Sequence, residues 1–486
     1  MNRLEKKWII LSIITLVSFI TNVDATIVII GLPAIMEGLN ISIITGTWII
    51  TSYLITSTTF LLPAGRWADI LGSKRIFIWG LGIFTIATVF CGLATSGTYL
   101  ILFRFIKGIG AALALATATP IMIRTFSSHQ LGLAIGLNST SWVIGSLAGP
   151  VIGGILLEQF SWASIFFVTV PFTLLGMLGA WFLFDDAVMS TQSRTDWKGL
   201  FTFAFSLITL LIALSEGQSL GWSSAPIITL IFTSIILGFF FIKVELSNPY
   251  PLFNLKLLYN IKYTAGLGIT MSYCIAYFAI SFLVTFYLQG ILQLTPREAG
   301  FLMIPLSAPQ LLMGPLGGIL ADRFGSLRMM YVGLILLIGT TYILGNMNEQ
   351  FSITAFIICL IILSIANGLS WPALAKLVLS SGTQGEAGAV SGMFYTVYNI
   401  GRALSQPLAV AAMQVVLPAD TISQLLAKSI VVSGLNMPLF MDSTHIAFYF
   451  VFFVFLLALF ITLFLHKKTK FQLHDNLVKT SAQCDL

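Results

Sequence analysis

Charged side chains are scarce in this chain: Asp, Glu, Lys and Arg make up 9% of its 486 residues, where a soluble domain carries roughly 25%. So thin a polar complement cannot cover a water-exposed surface, which excludes a soluble enzyme or binding module. Cysteine and histidine are equally sparse, with four of each. Cys91, Cys274 and Cys359 lie in apolar stretches and Cys484 near the end, with no CxxC pair, while His129, His445, His466 and His474 are scattered. Neither a disulfide framework nor a metal cluster is expected. A phosphate-binding glycine loop and a nucleophile elbow are also missing, so no catalytic residue, metal ligand or cofactor is expected.

What the chain does have is apolar length. Hydrophobic residues supply 57% of it. They fall in roughly fourteen stretches of about 17 to 25 residues, each long enough to cross a ~30 Å hydrocarbon layer as a helix. The first lacks a small-residue cleavage site and is followed by more spans, so it reads as a membrane helix rather than a removable signal. An even number of spans puts both termini on one side. Of the 24 Lys and Arg residues, only Arg297 and Lys428 fall in segments placed outside, and Arg104, Lys107 and Arg402 fall within spans. The rest flank the other side, which the positive-inside rule makes the cytoplasm. The net charge of +6 then sits beside anionic lipid, and no nucleic-acid partner is needed to explain it.

One carboxylate lies deep in a span. Asp24, within VDATIVIIGLP of the first stretch, faces a penalty of at least ~2.5 to 3.5 kcal/mol if unpaired. At 1.5 Å per residue it sits ~10 Å below the outer end of its helix, and Arg104 and Lys107 of the fourth stretch sit ~8 to 12 Å down. The levels match. An aspartate facing Arg or Lys across a cavity can alternate between an ion pair and a protonated, neutral state, which is the minimum device for coupling proton entry to substrate exit. The same residues could instead form a static salt bridge that fixes helix packing.

The chain also resembles itself. GRWADILG after the second stretch (Gly65, Asp69, Gly72) and GILADRFG after the tenth (Gly318, Asp322, Gly325) both read GxxxDxxG, with all three positions 253 residues apart. Two such octapeptides at corresponding loops imply a duplicated six-span bundle, with spans seven and eight inserted as a hairpin. Glycine lets helix ends approach, and the aspartate can accept hydrogen bonds from a helix N-terminus or from neighbours such as Lys74, Arg75 and Arg323. Such a loop acts as a cytoplasmic latch between the halves in one state, or is simply a tight loop with ordinary inside charges.

In the fifth stretch, Gly145, Gly149 and Gly153 make a small-residue stripe for close helix packing, and Pro150, followed by Gly153 and Gly154, invites a bend. A helix of this kind can serve as a rocking surface and a seal against proton leak, or only as a packing face. Candidates for a substrate cavity are Trp48, Tyr53, Trp142, Phe286, Tyr287, Gln289, Tyr395 and Asn399, each of which could equally face lipid or pack. Arg104, Lys107 and Arg402 outnumber Asp24 at membrane depth. Amphiphilic, zwitterionic or anionic organic compounds are therefore expected as cargo in preference to multivalent cations.

Together these pieces resemble the major facilitator superfamily. Gly65, Asp69, Gly72, Lys74 and Arg75 look like its loop signature, and LILFRFIKGIGAA, with Arg104, Gly108 and Gly110, resembles its fourth-helix motif. GSLAGPVIGG (Gly145, Gly149, Pro150, Gly153, Gly154) is similar to its antiporter signature. VDATIVIIGLP, DWKG (Asp196 to Gly199) and YLQGILQLTPREAGFLMIP (Tyr287 to Pro305) resemble the 14-span drug/proton antiporters. Ile70, Ala163, Thr169 and Arg402 depart from the family pattern. The resemblance implies an all-α integral membrane protein with the major facilitator fold: two six-helix bundles related by pseudo-twofold symmetry, plus the hairpin. The divisions expected are 1–190 for the first bundle, 191–256 for the hairpin, 257–470 for the second bundle and 471–486 for a cytoplasmic tail. It also implies a proton-coupled exporter of drugs or other amphiphilic compounds in a bacterial cytoplasmic membrane, with protons, a small organic substrate and the lipid bilayer as partners, and a monomer. Alternatives are a dedicated exporter of one anionic metabolite or siderophore, an uptake symporter, and a non-transporting receptor.

Overall fold

The computed structural model describes residues 3–126, 128–185, 196–248, 251, 255–347, 352–381, 387–418, 421–422 and 436–484. Fourteen long helices, two of them interrupted, organise them. In the first half these are α1 (Arg3–Leu39), α2 (Ile43–Leu71), α3 (Ser73–Gly92), α4 (Gly97–Thr125), α5 (Ser128–Gln159) and α6, in two pieces, Ser164–Phe167 and Val170–Leu183. Then come α7 (Trp197–Leu220) and α8 (Ala225–Ser247). The second half holds α9 (Ile261–Phe286), α10 in three pieces (Pro296–Leu302, Ile304–Ser307, Gln310–Phe324), α11 (Ser326–Leu344), α12 (Ile353–Leu379), α13 (Ala387–Met413) and α14 (Asn436–Cys484).

Local chemistry sets many of the boundaries. Ser42 and Ser96 cap α2 and α4 by accepting from Thr45 N and Tyr99 N, both at 3.3 Å, which satisfies amides the first turn leaves open. Thr295 and Glu298 cap the start of α10 reciprocally. The breaks in α10 precede Pro305 and Pro309, which lack an N–H to continue the ladder. At the C-terminus of α9 the chain widens into a π-turn, with Leu292 N bonding to Tyr287 O at 3.0 Å.

Twelve helical segments among the described residues are long and apolar enough to cross a membrane. The other two helices, α2 and α13, reach the length but are richer in polar side chains, such as Thr47, Thr51, Ser52 and Thr56 in α2 and Thr396, Ser405 and Gln406 in α13, all buried. These two pack against each other across the halves. Their polarity is turned inward.

The duplication is visible in the packing. In the first bundle α1 packs on α5 and α6, α2 on α4, and α3 on α4 and α6; in the second, α9 packs on α13 and α14, α10 on α12, and α11 on α12 and α14. The glycines mark equivalent close approaches. A Cβ on Gly80 would meet Ala114 N at 2.7 Å and Gly110 O at 2.8 Å, and one on Gly333 would meet Ser370 Cβ at 2.6 Å and Ala366 O at 2.8 Å. The two loops turn alike as well: Gly72 has φ 96° and Gly325 φ 92°, a left-handed backbone that favours glycine. The hairpin helices α7 and α8 pack on one another, and α7 lies against both α2 and α13.

The halves meet at the end away from the chain termini. There a Cβ on Gly154 would strike Pro296 O at 2.6 Å, and one on Gly300 would strike the carbonyl of Pro150. Gln289 of the π-turn donates to Ile30 O of α1 at 3.0 Å, and Arg297 pairs with Glu158 at 2.9 Å. At the terminal end, described polar contacts such as Lys6–Asp185 and Lys7–Gln130 run within one bundle. A cavity of about 530 Å³ lies in that terminal half, between Trp8, Thr15 and Phe19 of α1 and Leu137, Thr140 and Ile144 of α5.

Candidate functional site

α1 and α4 bring three charges together in the middle of the first bundle. Asp24, Arg104 and Lys107 are each fully enclosed, at 0% exposure. Arg104 Nη1 lies 2.8 Å from Asp24 Oδ2, and Lys107 Nζ 2.5 Å from Asp24 Oδ1. Spacing on α4 explains the geometry: residues three apart share a helix face, so one carboxylate can bridge both cations. Arg104 Nε also donates to Ile49 O at 3.0 Å, and its guanidinium lies 4.4 Å from the Tyr53 ring centre. Lys107 sits 4.5 Å from the Phe84 ring and 5.4 Å from Phe166, an electrostatic attraction that partly replaces lost hydration.

Gly108 allows this approach, because its missing side chain leaves room for Tyr53 O and Thr56 of α2. Counted as ions, the cluster carries two positive charges against one negative. Arg104 Nη2 is buried with no hydrogen-bond partner. Each buried charge costs several kcal/mol in lost hydration, so the cluster holds together through the contacts just named. Neutralising Asp24 would leave two cations facing each other in a dry site.

The fifth-span glycines divide their work. Gly145, Gly149 and Gly153 lie against α1, at Phe19 and Asn22, at Thr26, and at Ile27 and Ile30, whereas Pro150 and Gly154 face α10 of the other half. Asn22 reinforces the α1 contact by donating to the Trp142 carbonyl. In the repeated loops, Gly65 and Gly318 have open space around them, Lys74 is half-buried, and Arg75 and Arg323 are exposed, the latter 5.4 Å from the Phe324 ring. Asp322 pairs with Lys376 of α12, inside its own bundle. The side chain of Asp69 lies outside the described residues.

The cavity candidates separate into two groups. Phe286 and Tyr287 are buried inside the second bundle, Phe286 against Phe282 at 4.4 Å and Tyr287 stacking on Phe356 at 5.2 Å, whereas Gln289 belongs to the closed contact between halves. Tyr53 is the roof over Arg104. Trp48, Trp142 and Asn399 are half-buried, Tyr395 is 47% exposed, and Arg402 is buried with its guanidinium 4.9 Å from the Phe278 ring. Sequence reading missed a polar network beside this second group. The Tyr273 hydroxyl bonds to Asn367 Oδ1 at 2.6 Å and to Ser370 Oγ at 2.8 Å, and Gln310 donates to the Tyr277 hydroxyl at 2.6 Å. The missed signal was an amide within an apolar run, Asn367, the same kind of anomaly that singles out Asp24.

Comparison with known proteins agrees with this architecture. The profile of the Major Facilitator Superfamily matches residues 14–406, with a second match over 265–477. The riboflavin transporter RibZ of Clostridioides difficile is 29% identical over 367 residues, covering 75% of this chain and 79% of that protein. The multidrug transporter protein MdtP of Bacillus subtilis is 27% identical over 398 residues, 82% of this chain and 73% of its own. The tetracenomycin C resistance and export protein of Streptomyces glaucescens is 25% identical over 382 residues, 78% and 71% of the two chains. Among solved structures, a bacterial homologue of the human lysosomal transporter Spinster, in an inward-facing and unoccupied conformation, superposes with a TM-score of 0.65 at 18% identity, over 94% of this chain and 96% of that one. At that identity the likeness speaks for the fold alone. The protein is a multi-pass membrane transporter and belongs to the Major Facilitator Superfamily.

Proposed function

We propose that the protein is a proton-coupled antiporter that exports drugs or other amphiphilic organic compounds across a bacterial cytoplasmic membrane by alternating access. The carrying observation is the enclosed Asp24–Arg104–Lys107 cluster. Equivalent close approaches pair Gly110 with Ala366, Ala114 with Ser370, Phe19 with Met271 and Asn22 with Cys274. By that register the second bundle has Ala276, Leu360 and Leu363 where the first has Asp24, Arg104 and Lys107, and all three are fully buried. Apolar residues therefore satisfy the same helix packing. Three charges retained at such a cost point to a working role rather than to a static brace.

In this reading both termini lie in the cytoplasm, and the arrangement above, sealed at the α5–α10 contact and hollow at the terminal end, is the inward-facing state. Asp24 takes up a proton from the outside and gives it up inside, and each change alters how α1 and α4 hold each other. The loops at Gly65–Gly72 and Gly318–Gly325 latch the cytoplasmic ends in the opposite state. Relatives named for multidrug transport and for resistance to one antibiotic favour export of organic compounds. A second reading, transport of one dedicated metabolite, is favoured by the relative named a riboflavin transporter.

Survival of expressing cells on a broad compound panel, with and without a proton uncoupler, separates the two. Protection against several unrelated compounds, abolished by the uncoupler, is the expected result. Protection that survives the uncoupler, or none on any compound, contradicts the proposal.

A further inference from the structure

We propose that the second bundle carries the substrate seat, and that it is built for a planar aromatic compound with one negative charge. This rests on the transporter reading above for its purpose, though not for its geometry. Four rings from three helices form one continuous wall. Trp371 of α12 lies 5.1 Å from Tyr398 of α13, Tyr398 lies 5.5 Å edge-on to Phe278 of α9, and Phe278 lies 5.8 Å from Tyr277. All four rings are half-buried rather than enclosed. Behind them Tyr273 and Phe394 back the wall, at 6.0 Å and 5.6 Å from Trp371. Rigid, partly open rings that present faces and edges in alternation, Phe278 standing at 82° to Tyr398 and 79° to Tyr277, favour a flat π-system, which meets one ring face-on and its neighbour edge-on at little loss of side-chain freedom.

Arg402 supplies the charge preference. Its guanidinium lies over Phe278 and reaches the Tyr398 side chain, at 8% exposure. No carboxylate among the described residues lies within ion-pair distance of it. A cation so enclosed is relieved best by an anion that brings its own hydrogen-bond acceptors, and the planar fork suits a carboxylate or a similar oxyanion. One unpaired arginine answers one negative charge. The seat also has a line to the proton site. Tyr53, stacked on Arg104, lies in the electrostatic field of both Arg104 and Arg402. An anion placed on Arg402 thus changes the field at the roof of the Asp24 cluster.

The test is equilibrium binding to the full-length protein in lipid nanodiscs, with three probes: resorufin, a flat tricyclic monoanion; proflavine, a flat tricyclic monocation; and decanoate, an anion without rings. Wild-type protein should bind resorufin at least about tenfold more tightly than either other probe. Arg402→Gln should bring resorufin and proflavine to within about threefold of each other, while Trp371→Leu should weaken both tricyclic probes about tenfold and leave their ratio in place. Proflavine binding as tightly as resorufin to the wild type overturns the proposal with no variant needed. So does an Arg402→Gln protein whose preference is unchanged. Binding needs no proton gradient, so a protein that shows this selectivity yet exports nothing under a gradient refutes the antiporter reading and leaves the seat standing.

Discussion

The two six-helix bundles share one scaffold and bury opposite things. Gly80 and Gly333 bring equivalent helices together at the same spacing, and Gly72 and Gly325 turn equivalent loops with nearly the same φ. Yet the centre of the first bundle holds Asp24, Arg104 and Lys107, and the matching positions of the second hold Ala276, Leu360 and Leu363. About one turn further along α12, the second bundle has Asn367 and Ser370 bonded to Tyr273, with an aromatic wall beside them. The contrast teaches that the scaffold is indifferent to charge at its centre. On the function and the seat proposed above, what each bundle buries there divides the labour: proton handling in the first, cargo recognition in the second.

Copying the second bundle's trio into the first strains this comparison most. The triple variant Asp24→Ala/Arg104→Leu/Lys107→Leu should fold, with a melting temperature in detergent no lower than the wild type, because apolar packing can replace a buried ion cluster without loss. Its proton-driven transport should fall at least about 100-fold, since the charges that cycle are gone. A variant that fails to insert, or one that still transports uphill, would show that the equivalence of the two centres has been misread. Single removal sharpens the point. Asp24→Asn leaves Arg104 and Lys107 buried without an anion and should lower stability by about 3 to 5 kcal/mol, and adding Lys107→Met should recover much of that without restoring coupling.

The contact between bundles comes next in size. Gly300→Val places methyl groups against the Pro150 carbonyl, so the end away from the termini should no longer close. Turnover should fall about tenfold, and a cysteine introduced at Glu158 should react faster with a membrane-impermeant thiol reagent from that side. Unchanged reactivity would mean that the α5–α10 contact is not the seal.

The smallest effects belong to the shared scaffold and the second centre. Gly72→Ala and Gly325→Ala should each cost about 1 kcal/mol, by similar amounts, because both force a side chain into left-handed backbone. Tyr273→Phe should lose about 1 to 3 kcal/mol by stranding Asn367 Oδ1, since Ser370 keeps its bond to Ala366 O, with the ratio of protons to substrate unaltered. A change in that ratio would break the division of labour between the bundles.

The sequence was most readable where a residue violated its surroundings. Asp24 in an apolar run and the matched GxxxDxxG loops led to the buried cluster, the repeat and the two bundles, because a charge in lipid and a duplicated octapeptide have few explanations. The aromatic residues were read poorly for the opposite reason. Phe286 and Tyr287 look like cavity residues in a list of types, but where α9 widens into its π-turn both are buried within their own bundle, Tyr287 against Phe356, and a local widening of a helix leaves no mark in composition. Trp371 and Tyr277 went unnoticed because an aromatic side chain in a membrane span is ordinary until its neighbours on other helices are known. The breaks in α10 were legible in Pro305 and Pro309, and the division of the α5 glycines between α1 and α10 was not, since one stripe can serve two partners.

Substrate counterflow and gradient-driven uptake, compared in the same proteoliposomes with wild-type and Asp24→Asn protein, test the central claim most directly. Counterflow needs only alternating access and a working seat, whereas uptake against a concentration difference needs the proton. The account predicts that Asp24→Asn keeps counterflow within about threefold of the wild type and loses at least about 100-fold of the uptake driven by an imposed pH gradient. Uptake by Asp24→Asn at the wild-type rate under that gradient would contradict it.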